Sequence, residues 1–295
     1  LSCKSYSREV KLFFSYVCWI SYCEERQRLK NNKKEMPMKV VILCGGKGTR
    51  LKEETEFRPK ALVEIGGKPI IWHIMKMYAH YGFKDFILCL GYKGNMIKEY
   101  FLNYEAMNNN FTIKLGDHNN IYFNSKHQED GWKVTLVDTG EEAQTGTRIK
   151  RIQKYINSDL FMVTYGDGVG NINIKRLVSF HKAHSKIGTI TGVHPSSRFG
   201  ELVIEKNKVK KFQEKPQVSE GLINGGFFVF KSDFLSYLKD DDSCYLEREP
   251  LENLASKGKL MVYTHKGFWQ CVDTYRELVL LNNLWGSANP PWKVW

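Results

Sequence analysis

The stretch Met38-Lys39-Val40-Val41-Ile42-Leu43-Cys44, followed at once by Gly45-Gly46-Lys47-Gly48-Thr49-Arg50, decides how this chain is read. A short apolar run rich in β-branched residues, without polar alternation, describes a strand buried on both faces, as in the middle of a parallel sheet. The glycine-rich exit lets backbone N–H groups close around phosphate oxygens where any Cβ would collide. Thr49 adds a hydroxyl, and Arg50 a planar guanidinium fork suited to a polyphosphate. The spacing is neither that of a Walker A loop nor Gly-x-Gly-x-x-Gly. On its own, the loop reads as readily as a plain turn.

Working outward, residues 69–81 place Ile70, Ile74, Met77 and Tyr78 on one helical face, with Gly82 as a stop. Residues 86–90 form a second buried-strand run closed by Gly91, and 95–104 read as helical. Further strands are expected at 134–137 and 160–164, and an amphipathic helix at 174–184. Beyond Ile187 the pattern favours strands, at 188–193, 201–205, 208–212 and 225–230. Strands alternating with helices predict an α/β fold: a Rossmann-like, mixed but mostly parallel central sheet flanked by helices, with a small β part added. Neither a repeat nor a linker divides residues 38–295, so one domain is expected there.

Residues 1–37 are set apart. An apolar stretch after a few basic residues imitates a signal peptide, but no small-x-small site follows and Cys23 leads into Glu24-Glu25-Arg26. Translated sequence upstream of a start at Met38, a true N-terminal helix and a targeting element are the competing readings. This segment holds eight Lys/Arg against four Glu, leaving +8 of the net charge of +12 for the remainder. Such a remainder suits a protein that handles phosphorylated substrates and does not require nucleic acid. No run approaches the roughly eighteen apolar residues of a membrane helix, so neither a nucleic-acid nor a membrane partner is expected. Of the seven cysteines, three (Cys3, Cys18, Cys23) fall in the leading segment, and no Cys-x-x-Cys or zinc spacing occurs. Free thiols in a reducing, cytoplasmic setting are the expectation.

Lys60, in Arg58-Pro59-Lys60-Ala61-Leu62, could neutralise charge growing on a phosphoryl centre, although an isolated lysine is usually surface. The loop, this Pro-Lys pair and Val63-Glu64-Ile65-Gly66-Gly67-Lys68-Pro69-Ile70 together resemble the sugar-1-phosphate nucleotidyltransferase family. Later blocks follow in order: Val137-Asp138-Thr139-Gly140, Tyr165-Gly166-Asp167-Gly168, Phe212-Gln213-Glu214-Lys215-Pro216, Ile223-Asn224-Gly225-Gly226 and Phe268-Trp269-Gln270-Cys271-Val272-Asp273-Thr274. They look like the cytidylyl branch of that family and span essentially residues 38–295.

The resemblance implies a fold of the nucleotide-diphospho-sugar transferase type and a reaction of CTP with glucose 1-phosphate. It implies nucleotide contacts from Leu43, Cys44, Gly45, Gly46, Lys47, Gly48, Thr49, Arg50, Thr145, Gly146 and Arg148, with Thr145-Gly146 taken as a turn. Sugar-phosphate contacts would come from Lys60, Glu214, Lys215, Asn224 and Glu247, and Arg50 and Lys60 would be catalytic. Asp167 and Asp273 would hold Mg²⁺, which needs few carboxylates because phosphate and water complete its shell. A homo-oligomer is implied, a hexamer among the options, and the aromatic tail Pro290-Pro291-Trp292-Lys293-Val294-Trp295 suits an interface or a docked terminus.

The chain departs from the family pattern in three places. Arg58-Pro59-Lys60-Ala61-Leu62 stands for the usual Lys-Pro-Lys-Pro-Met, Cys44 replaces a small Ala, and Thr147 stands where glycine is common. None removes a catalytic group. Three other readings stay open: the same reaction with UTP or dTTP, a nucleotide-sugar glycosyltransferase, and a non-catalytic homologue. The second would usually carry Asp-x-Asp where this chain has Gly166-Asp167-Gly168, and the third would be expected to have lost Arg50, Lys60 or an aspartate.

Overall fold

The computed structural model describes residues 38–116, 121–124, 128–195, 201–205, 208–213 and 221–295. Residues 1–37, and with them the expectations about an upstream segment, lie outside the described residues, as do Glu214 and Lys215. The opening run is strand β1 (Lys39–Leu43), buried at every position. Six more strands join it: β2 (Asp85–Leu90), β3 (Lys133–Asp138), β4 (Leu160–Tyr165), β5 (Gly188–Val193), β6 (Ile223–Lys231) and β7 (Leu260–His265). Their order across one seven-stranded sheet is β7-β5-β6-β4-β1-β2-β3. β1 pairs in parallel with β2 and β4, β2 with β3, and β5 with β7, whereas β6 runs antiparallel to both β4 and β5. The sheet is therefore mixed and mostly parallel, and its second half continues the same layer.

β1 is central because both of its faces are covered. Successive side chains of a strand point to opposite sides. Val40 and Ile42 pack with Ile74, Met75 and Tyr78 of helix α1 (Ile70–His80), while Val41 and Leu43 join Ile87, Val163, Phe228 and Leu246 in the opposite layer. Each of these buried aliphatic side chains contributes roughly 1.5–3 kcal/mol. Five further helices flank the sheet: α2 (Gly94–Leu102), α3 (Thr145–Arg151), α4 (Ile174–Ala183), α5 (Glu249–Ser256) and α6 (Tyr275–Trp285). The small added β part is an antiparallel pair, Glu201–Glu205 with Lys208–Gln213.

Several elements differ from the sequence pattern, α6 among them, which that pattern does not predict. The helix expected over 95–104 ends at Leu102 and resumes as Tyr104–Asn108, because Asn103 turns its amide back onto the Glu99 carbonyl at 3.0 Å. Thr145-Gly146 opens α3 and is not a turn. Strand β7 escapes periodicity because it is half-exposed along its length. The helix α5 is short and carries Pro250 in its first turn, where proline is tolerated. The aromatic tail is a docked terminus: Trp292 is fully buried, stacked on Phe268 at 5.7 Å and lying 5.9 Å from Trp285. Among the described residues no helix is long and apolar enough to cross a membrane.

Candidate active site

The loops leaving the C-terminal ends of β1 and β4 meet, as ligand crevices of open α/β sheets do. The Gly166 N–H donates to the Leu43 carbonyl at 3.1 Å, which seats Asp167 beside the glycine loop. Asp273 arrives from the far end of the chain by a separate ladder. Gly168–Gly170 pairs antiparallel with Trp269–Cys271, and the Val272 N–H donates to the Asp167 carbonyl at 2.8 Å. The carboxylate of Glu277 then accepts from the Asp273 and Thr274 N–H groups at 2.6 and 2.8 Å. Thr274-x-x-Glu277 is thus the capping box of α6, and it fixes Asp273 just ahead of that helix.

Lys60 stands on a 3-10 turn, Lys60–Leu62, entered through Pro59. Its ammonium donates to Asp167 Oδ2 at 2.6 Å and Asp273 Oδ1 at 2.7 Å, and Arg50 Nη1 donates to Asp273 Oδ2 at 2.7 Å. Burial alone would lower the Lys60 pKa, but Asp167 and Asp273 outweigh it and hold it above the ordinary lysine range. Burial would likewise raise Asp273, but Lys60 and Arg50 outweigh it and keep that carboxyl below its usual range. At neutral pH this is a cation set between two anions.

Two carboxylates aimed at one point, with a second cation, Arg50, on the outer oxygen, form an oxygen-only donor set. Among the described residues no group of three or more His, Cys, Asp or Glu converges anywhere. The neighbouring Cys271 thiol is pushed up to about 12, first by burial and then by Asp273, so it offers no thiolate. The residues fit a hard divalent cation such as Mg²⁺, which takes one or two protein carboxylates and draws its other oxygens from phosphate and water.

Of the loop residues, Cys44 is buried, its thiol raised by burial first and by Cys89 next, so it acts as a small apolar wall. Gly46 borders open space, and Lys47 donates to Glu142 Oε1 at 2.6 Å across the mouth. Arg148 is buried and its fork is spent on the protein. Nη1 donates to Leu90 O (2.9 Å), Thr139 Oγ1 (2.9 Å) and Gly140 O (2.8 Å), and Nη2 to Gly45 O (3.0 Å) and Glu141 O (3.2 Å). One guanidinium therefore ties together the ends of β1, β2 and β3.

The Gly146 and Thr147 N–H groups both donate to Cys244 O, at 2.9 and 3.2 Å, so the loop before α5 occupies the N-terminus of α3. Thr145 Oγ1 donates to Glu247 Oε2 at 2.7 Å. The structure thus joins Thr145, Glu247 and Asn224 in one cluster, around Tyr165. Sequence reasoning passed over Tyr165, although its place directly before Gly166-Asp167 at the end of β4 was the available signal. Its hydroxyl is held well above the usual phenol range, by burial and then by the Glu247 charge.

The chain as a whole is similar to known proteins. The model of the nucleotidyl transferase family matches residues 39–284. Glucose-1-phosphate cytidylyltransferase of Salmonella typhi is 50% identical over 259 residues, covering 88% of this chain and 100% of the relative. The enzyme of the same name from Salmonella typhimurium is also 50% identical over 259 residues, with the same coverage. Among solved structures, HddC from Yersinia pseudotuberculosis superposes with a TM-score of 0.62 at 24% identity, covering 84% of this chain and 99% of its own, a likeness of fold. With the phosphate loop, the Lys60-bridged aspartates and this near-complete match together, the chain belongs to the nucleotidyl transferase family, among the glucose-1-phosphate cytidylyltransferases.

Proposed function

We propose that this chain transfers a cytidylyl group from CTP to α-D-glucose 1-phosphate, giving CDP-glucose and pyrophosphate, with Mg²⁺ held by Asp167 and Asp273. The observation that carries the chemistry is the single ammonium of Lys60 placed between those carboxylates at the lip of the glycine loop. The half-identical, full-length cytidylyltransferase relatives support the choice of CTP and glucose 1-phosphate.

A phosphate oxygen of glucose 1-phosphate attacks the α-phosphorus of CTP in line, and pyrophosphate leaves. The nucleophile is already anionic, so no general base is required. The protein's work is positioning and charge neutralisation. Gly45 to Thr49 would offer backbone N–H groups and a hydroxyl to the triphosphate, and the exposed Arg50 fork is suited to its outer oxygens. Lys60, kept cationic by its two carboxylates, faces the charge that builds on the transferring phosphoryl group. Bound Mg²⁺ would supply further neutralisation of the polyphosphate. Thr145, Asn224 and Glu247, and Glu214 and Lys215 from outside the described residues, are assigned to the sugar and nucleotide ends.

A reducing compartment, the cytoplasm, suits the free thiols of Cys44, Cys89, Cys244 and Cys271. A homo-oligomer suits the exposed apolar side chains of Leu102, Met107, Phe111, Ile113 and Phe123 on one excursion of the chain. The deciding experiment is pyrophosphate release over a matrix of four nucleoside triphosphates and several sugar 1-phosphates. CTP with glucose 1-phosphate should give the highest kcat/KM, and a higher value with UTP or dTTP would overturn the assignment of the base.

A further inference from the structure

Glu247 is an exposed side chain whose carboxylate is nevertheless held at both oxygens. Thr145 Oγ1 donates to Oε2 at 2.7 Å and the Tyr165 hydroxyl donates to Oε1 at 2.5 Å. An exposed glutamate ordinarily keeps rotamer freedom that fixing it removes. Here two donors from different strands and helices impose one orientation.

The direction of the Tyr165 hydrogen bond is itself imposed. Asn224 Nδ2 donates into the phenolic oxygen at 3.1 Å, so the phenolic proton goes to Glu247. The Asn224 amide is in turn oriented by the Gly226 N–H, which donates to its Oδ1 at 2.8 Å. The ring has no alternative seat. It packs edge-on to Phe228 at 5.8 Å, and a Cβ at Gly226, where φ is +78°, would fall 2.4 Å from the ring. The block Asn224-Gly225-Gly226 is therefore the support of Tyr165.

Tyr165 and Thr145 line the same cleft as Arg50, Lys60 and the two aspartates. A carboxylate hydrogen-bonded to two of these lining residues, at the edge they form, repels a triphosphate and attracts hydroxyl donors. Each of its oxygens spends one acceptor direction on the protein and keeps another for a ligand. We propose that Tyr165 is a positioning residue that aims Glu247 at the hydroxyl groups of the hexose phosphate, so that the Asn224–Tyr165–Glu247–Thr145 chain sets affinity for the sugar substrate. This rests on the transferase reading given above. The hydroxyls of the ribose share the same chemistry, and the two substrates' KM values separate the sources.

The test is steady-state kinetics of Tyr165→Phe, Glu247→Ala and their double variant, with CTP and glucose 1-phosphate varied separately. Tyr165→Phe should raise KM for glucose 1-phosphate about tenfold, with kcat and KM for CTP within about twofold of wild type. The double variant should be no worse than Glu247→Ala, since both act through one carboxylate. Glu247→Gln, which keeps the side chain's shape but cannot accept from both donors as the carboxylate does, should give the same sugar-selective rise, which keeps the test open if Tyr165→Phe fails to fold. An unchanged KM for the sugar phosphate, an equal or larger rise in KM for CTP, or additive losses in the double variant would overturn the positioning role. A wild-type protein inactive with CTP and glucose 1-phosphate would overturn the underlying reading, and the inference with it.

Discussion

The guanidinium of Arg148 donates from Nη2 to the carbonyl oxygen of Gly45 at 3.0 Å, across 103 residues of sequence. The contact makes the first glycine of the phosphate loop obligatory for reasons of packing. A Cβ at Gly45 would lie 2.1 Å from Arg148 Nη1, and the arginine cannot swing away because four other acceptors hold it.

Gly45→Ala should therefore cost roughly 1–3 kcal/mol of stability, as overpacking does, and lower kcat/KM through a displaced loop. Arg148→Met should cost more, roughly 3 kcal/mol or above, because the carbonyls of Gly45, Leu90, Gly140 and Glu141 all lose a charged donor at once. Urea denaturation followed by fluorescence measures both. A stable, fully active Arg148→Met would show that the three loops hold their places without it.

Asp167→Asn and Asp273→Asn each remove one anionic oxygen ligand while keeping shape. Turnover should fall by on the order of 10²–10³-fold at fixed Mg²⁺, with partial recovery at high metal concentration if affinity is what was lost. Near-normal rates in both variants would end the metal assignment.

Removing Lys60 leaves Asp167 and Asp273 facing each other without the cation that now bridges them at 2.6 and 2.7 Å. Lys60→Ala should lower kcat by about 10²-fold or more while KM for CTP changes little. Its thermal midpoint should rise on adding Mg²⁺ by more than that of wild type, since a divalent ion then replaces the lost charge. Calorimetry with and without the metal reads this directly.

His73 is fully buried, with Nε2 2.9 Å from the Ile65 carbonyl and Nδ1 accepting from Trp292 Nε1 at 3.4 Å. Burial pushes its pKa down from 6.5 to about 4. Between those values the unfolded chain binds a proton that the folded chain refuses, so stability is complete above pH 6.5 and falls as pH drops toward 4. The loss has an upper bound of about 3 kcal/mol. His73→Gln should flatten the dependence of Tm on pH between 6.5 and 4.5, and an unaltered slope would assign the effect to other groups, such as His181, which shifts in the same direction.

Much of this molecule was legible in order of residues. β1, β2, β4 and β5 appear within a residue or two of their apolar runs, because a strand buried on both faces advertises itself locally. The half-exposed β7 and the short helices α3 and α5 carry weak periodicity and were settled by what packs on them. In the site, the glycine loop, Lys60 and the two aspartates were named from motif and resemblance alone.

What the sequence by itself determined is the central strand, its phosphate-friendly exit, the α/β alternation around it and the residue types that the chemistry needs. Only the tertiary structure decided which of those residues meet. The ladder between Gly168–Gly170 and Trp269–Cys271 brings Asp273 to Asp167, Arg148 clamps three loops, and Tyr165 enters by gripping Glu247. Periodicity and capping act over a few residues. The choice of a hydrogen-bond partner is a competition among groups that only the closed fold places side by side.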